Sequence, residues 1–115
     1  MLQLEKKPFV LDGKTYEISC NMAVLEEVED ENGGDFEAVM KLPLRRAAIV
    51  FLAAMLNDCA IRRNWPERWT PDELKRRVSL AMLTEADIIG MVTRSLTPQR
   101  ETQDAVSESN EAEGN

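Results

Sequence analysis

Hydrophobic and polar positions change their period several times along this chain, and each change marks an element. From Lys7 to Cys20 they alternate, as in a half-buried strand, and Asp12-Gly13 interrupts them with the dipeptide that tolerates φ > 0 in a two-residue type I′ turn. The expected β-hairpin sets Phe9 opposite Tyr16. It gathers Phe9, Leu11, Tyr16, Ile18 and Cys20 on an apolar face and leaves Thr15, Glu17 and Ser19 on a wet one. A two-stranded hairpin alone is marginal in water, so the apolar face needs a helix, another strand or a second copy of the protein against it.

Beyond Asn21, a helix-capping residue type, the spacing lengthens to three and four. It predicts a helix from Met22 to about Asp30, with Met22, Leu25 and Val28 as its stripe, Val24 beside them, and Glu26, Glu27, Glu29 and Asp30 on the other face. Asn32-Gly33-Gly34 ends it, and Asp35 caps a short helical turn carrying Phe36, Val39 and Met40. Between Asp30 and Lys41 the acids superficially suggest a calcium loop. The required glycine position falls on Asp35 and the closing glutamate on Lys41, which excludes it.

Ala47 to Leu56 is an unbroken apolar run inside a charged sequence, and it organises the rest. A helix from Pro43 to Asn64 that is apolar all round must be surrounded by other elements or by a partner, so it is a core helix, an interface helix, or both. Its apolar stretch is short of the roughly 20 residues that cross a bilayer. Pro43 suits the first turn, and Ala47, Ala48, Ala53, Ala54 and Ala60 keep parts of the surface flat for close neighbours. Arg62 and Arg63 complement the negative end of the macrodipole.

The connector from Asn64 to Trp69 holds both tryptophans, either as caps on the end of the core or as anchors for a partner. Thr70-Pro71-Asp72-Glu73 is a capping box with proline at N1, starting a helix whose apolar positions are Leu74, Val78, Ala81 and Met82, with Lys75, Arg76 and Arg77 outward. Thr84, with Asp87 three positions on, starts a last helix with Ile88, Ile89, Met91, Val92 and Leu96 as its apolar set. Gly90 inside it costs up to about 1 kcal/mol relative to alanine unless a neighbour packs close, and Thr97-Pro98 closes it. From 99 to 115 only Ala105, Val106 and Ala112 are apolar and acid is in excess, which predicts a disordered acidic tail or linker. The expected architecture is α+β and mainly α: an N-terminal β-hairpin, four or five helices in a domain spanning 1–98, and the disordered tail 99–115.

At 115 residues the chain is expected to be one domain with a sizeable core. It has no histidine, which excludes imidazole bases, His-bearing zinc sites and His-based triads. Cys20 and Cys59 fit no CxxC pattern, leaving buried inert thiols, with a disulfide or a reactive cysteine as the alternatives. No signal-like segment opens the chain, so a cytoplasmic protein is expected. The net charge of -7 argues against non-specific nucleic-acid binding. Its distribution matters more: every charged residue from Glu17 to Glu37 is acidic, whereas Lys41 to Arg77 is net basic. The two patches are either solvated helix faces or the complementary ends of a head-to-tail homo-oligomer.

No paired carboxylates, activated nucleophile or phosphate-cradling loop occurs, so neither enzymatic activity nor a cofactor is expected. A small phage or prophage DNA-binding regulatory protein of helix-turn-helix type is the alternative, with Lys75, Arg76 and Arg77 on its second element. The long aromatic connector and the acidic remainder weigh against it. Six methionines, among them Met22, Met40, Met55, Met82 and Met91 at apolar helical positions, are either core or an adaptable surface for apolar partners.

The opening Phe9-Val10-Leu11-Asp12-Gly13-Lys14-Thr15-Tyr16-Glu17-Ile18, the Leu25-Glu26-Glu27 helix, the apolar helix, the Thr70-Pro71-Asp72-Glu73 start and the polar tail resemble, in that order, the tail assembly chaperones of long-tailed bacteriophages and prophages. The resemblance implies a non-enzymatic factor of the host cytoplasm, absent from the mature virion, that coats the tape measure protein and helps tube protein polymerise around it. A tape-measure helix would lie in an apolar groove between the Pro43 to Asn64 helix and the two that follow. Candidate partner-binding residues are Val50, Phe51, Met55, Trp65, Trp69, Met82 and Met91. The family also implies a longer frameshift product whose extra domain recruits the tail tube protein. Glu113-Gly114-Asn115 can be encoded as GAG GGA AAC, which contains a slippery heptamer, and 99–115 would then be the linker to that domain.

Overall fold

The computed structural model describes residues 4–97; the expected tail at 99–115 lies outside the described residues. Strands β1 (Lys7–Leu11) and β2 (Lys14–Ile18) pair antiparallel with Phe9 opposite Tyr16. Asp12 (φ 53°) and Gly13 (φ 77°) both take the left-handed conformations that a type I′ turn requires. Phe9, Leu11, Tyr16, Ile18 and Cys20 are buried as the alternation demands. Ser19, expected on the wet face, is also buried at 2% exposure, because the chain turns inward there to enter the first helix.

That helix, α1 (Met22–Glu31), is capped as expected: the Asn21 side chain accepts the Val24 N–H at 2.9 Å. Val24 and Val28 are its buried positions, while Met22 is 67% exposed and does not belong to the stripe. The ending at Gly33 and Gly34, both with φ near +76° (75° and 77°), returns the chain to α2 (Phe36–Met40), capped by Asp35. Then follows α3 (Leu44–Arg62), the element on which β2, α1 and two of the helical segments that follow it pack. Every residue from Ala48 to Ala60 is buried, so the all-round apolar run is a core helix. Two polar residues inside that stretch, Asn57 and Asp58, are buried with their hydrogen bonds made, and both hold neighbouring loops to α3.

Beyond the connector, one expected helix becomes two. The capping box forms, with the Glu73 N–H donating to Thr70 Oγ1 at 3.1 Å, but α4 (Pro71–Leu74) lasts a single turn. The Arg77 guanidinium is drawn across to Asp12 in the hairpin turn and lies over the Trp69 ring, and Ser79 restarts the chain by accepting the Met82 N–H at 3.1 Å. Helix α5 therefore spans Leu80–Glu85, with Thr84 inside it rather than capping the next. Asp87, at φ 54°, breaks the chain before α6 (Ile88–Leu96). The result is a hairpin and six helical segments among the described residues, against the four or five expected, in a mainly α, α+β architecture. Gly90 fits the expectation of close packing: a Cβ there would fall on the Asp87 carboxylate.

Candidate functional site

The first turn of α3, one face of α5 and the start of α6 enclose a cleft of about 210 Å³. Leu44 and Arg45 come from α3, Leu80 and Thr84 from α5, and Ile89 from α6; Ala48, Leu83 and Ile88 form the buried floor. It stays open for two local reasons. Ala48 offers only a methyl where a larger residue would fill the space, and the Ser79 cap starts α5 so that Leu80 stands on the rim while Leu83, three positions on, turns to the core. Leu44 is 70% and Leu80 63% exposed, among the most exposed large apolar side chains described. Single exposed leucines are ordinary; two from separate helices lining one apolar cleft are a docking geometry.

The charges around the cleft are unbalanced. Asp87 is held by Arg94 at 3.1 Å, and Arg94 also grips Glu5 with two hydrogen bonds of 2.9 Å, which hold the Glu5 carboxyl below its usual range. Arg46 and Lys75 share one carboxylate, Asp72, each at 3.6 Å. Arg45 has no ion pair among the described residues. Beneath it the N-terminus of α3 has neither a side-chain cap nor an acid in its first turn. Like-signed side chains at the positive end of a 19-residue helix are an unfavourable arrangement, the reverse of usual helix chemistry.

The residues expected to contact a partner divide sharply. Val50, Phe51, Met55 and Met91 are 5%, 2%, 0% and 1% exposed and belong to the core, which corrects their assignment as surface contacts. Met82 is half-buried, its sulfur accepting the Ser79 N–H at 3.4 Å. Trp65 and Trp69 are also half-buried and close the end of the core over the hairpin. Trp65 meets Tyr16 edge-on at 5.5 Å with Lys14 over its other side at 3.8 Å, and Trp69 Nε1 donates to the Tyr16 hydroxyl at 3.4 Å. Tyr16 OH in turn donates to Glu67 at 3.1 Å, and burial raises its pKa. Glu67 also accepts from Lys14, and that hydrogen bond lowers its pKa.

Sequence reasoning missed Leu44, Leu80 and Ile89 as one surface. The signal present was Ser79, a capping residue inside a supposed continuous helix, with a leucine directly after it. The basic triplet lies in the turn between α4 and α5 and not on a helix, so the expected recognition element is not formed there. Both cysteines are free and buried, and burial raises the Cys20 thiol pKa, as inert thiols require. On α1 and α2 no acid enters an ion pair among the described residues; Glu27 is half-buried against Asn57, while Glu26, Asp30, Glu31 and Glu37 are left to solvent. No helix among the described residues is long and apolar enough to cross a membrane. No protein-family model matches the chain, and none of the curated proteins or solved structures compared with it matches either.

Proposed function

We propose that this chain is a tail assembly chaperone of the long-tailed phage type: a non-enzymatic protein of the host cytoplasm, absent from the mature virion, that binds the tape measure protein and assists tube polymerisation around it. The observation that carries the reading is the cleft between α3, α5 and α6, because a groove rimmed by two exposed leucines on separate helices suits the apolar face of an amphipathic helix. The contact residues in this reading are Leu44, Leu80 and Ile89, in place of the buried Val50, Phe51, Met55 and Met91.

Magnitudes define the mode of binding. Fully burying a leucine is worth about 1.5–3 kcal/mol, so covering Leu44 and Leu80 yields only a few kcal/mol before the entropy of association is subtracted. One site is therefore weak. Many copies along one long helical ligand multiply it through effective concentration, which matches a coat on a tape measure protein. A longer frameshift product carrying a tube-binding domain would complete the assembly role.

Co-expression of the full chain with an aggregation-prone tape-measure fragment is the test. The chain is expected to keep the fragment soluble and to co-purify with it, whereas a double Leu44→Ser, Leu80→Ser variant folds normally and loses both effects. A fragment that aggregates to the same extent with and without the wild-type chain would overturn the proposal.

A further inference from the structure

We infer that the helix received by the cleft carries acidic residues beside its apolar stripe, so that the site selects its ligand by charge as well as by shape. The inference rests on reading the cleft as the docking site, and adds the chemistry of its occupant. Four observations converge on it. Arg45 lines the cleft and has no ion pair among the described residues. Arg46, the next residue along α3 though outside the cleft lining, shares its one carboxylate with Lys75. The first turn of α3 has no cap and no acid, and carries both arginines at the positive end of the helix dipole. Asp87, the one acid lining the cleft among the described residues, already belongs to a charge-balanced network with Arg94, Glu5 and Lys7. A carboxylate on a docked helix, seated beside Leu44, would meet Arg45 and the dipole together while its apolar neighbours covered Leu44, Leu80 and Ile89.

The local field opposes the global one, which makes the inference unusually easy to isolate. With a net charge of -7, non-specific attraction favours a basic ligand. A preference for acid at this cleft must therefore come from the residues around it.

The experiment measures fluorescence anisotropy of two labelled synthetic amphipathic peptides, each of about 20 residues, with the intact chain. Both carry the same leucine stripe, flanked by glutamates in one and by lysines in the other. At about 50 mM salt the acidic peptide is expected to bind roughly tenfold tighter, equivalent to about 1.4 kcal/mol. The two affinities should converge at about 0.5 M salt, where screening is short-ranged. Arg45→Glu should reverse the order, and Leu80→Ser should weaken both peptides while circular dichroism shows an unchanged fold.

Equal affinities at low salt, or a tighter basic peptide, would overturn the acidic occupant and leave the docking reading standing. Binding of neither peptide would overturn both. Sedimentation of the chain alone adds the last arm: a dimer broken by Leu80→Ser would assign the cleft to a second copy and overturn the inference.

Discussion

Replacing Asn57 with alanine removes the most heavily used polar side chain in the core. Asn57 is 7% exposed, and its amide holds the tryptophan connector at two points: Nδ2 donates to the Trp69 carbonyl at 2.8 Å, and Oδ1 accepts the Trp69 N–H at 2.6 Å. The same Nδ2 donates to Glu27 on α1 at 3.0 Å, so one side chain joins α1, α3 and the connector. Alanine leaves the Trp69 N–H and C=O without partners and opens a small void. Each unsatisfied buried group costs about 1–3 kcal/mol. Because Trp69 is only half-buried and water regains part of the site, the expected loss lies at about 2–4 kcal/mol, a large share of the 5–15 kcal/mol typical of a domain.

Urea unfolding followed by two signals checks this. Tryptophan emission reports the connector alone, since Trp65 and Trp69 are the chain's only tryptophans, and far-ultraviolet circular dichroism reports the helices. The variant should unfold at lower urea, with the emission transition preceding the helical one because the connector is released first. Asn57→Asp sharpens the test: it keeps the acceptor for the Trp69 N–H but turns an oxygen toward the Trp69 carbonyl and the Glu27 carboxylate. It should be worse than alanine at neutral pH and recover in acid as the new carboxyl protonates. A midpoint change equivalent to less than about 0.5 kcal/mol for Asn57→Ala would refute the clamp.

Burial raises the Glu27 pKa, against the opposing hydrogen bond from Asn57. A carboxyl whose folded pKa exceeds its unfolded one contributes stability at low pH and loses it as pH rises through the folded value, so Glu27→Gln should stabilise the protein at pH 7 and match wild type near pH 4; urea midpoints at the two pH values decide it. Gly90→Ala gains helix propensity of up to about 1 kcal/mol but displaces the Asp87 carboxylate from Arg94. It should therefore stabilise an Asp87→Gly background more than the wild type, and equal effects in a double-mutant cycle would contradict the packing. Tyr16→Phe keeps the ring against Trp65 and removes the hydroxyl bridging Trp69 and Glu67, an expected loss of about 1 kcal/mol measurable by the same unfolding assay.

Local chemistry alone determined much of this fold. Asp12-Gly13 set the hairpin register, Asn21, Asp35 and Thr70 placed three helix starts, and the all-round apolar run from Ala47 identified the central helix. Each of these signals acts within about four residues, so no knowledge of the rest of the chain was needed. What lay beyond them depended on distant partners. Only the tertiary structure decided that the helix begun at Pro71 ends after one turn, because Arg77 is claimed by Asp12 and Trp69 and Ser79 captures the chain again. That break brings Leu80 and Leu44 to one cleft, while Val50, Phe51 and Met55 on α3 are sealed in the core. Periodicity reports that a side chain is apolar; whether it fills the core or waits at its rim depends on which elements arrive to cover it.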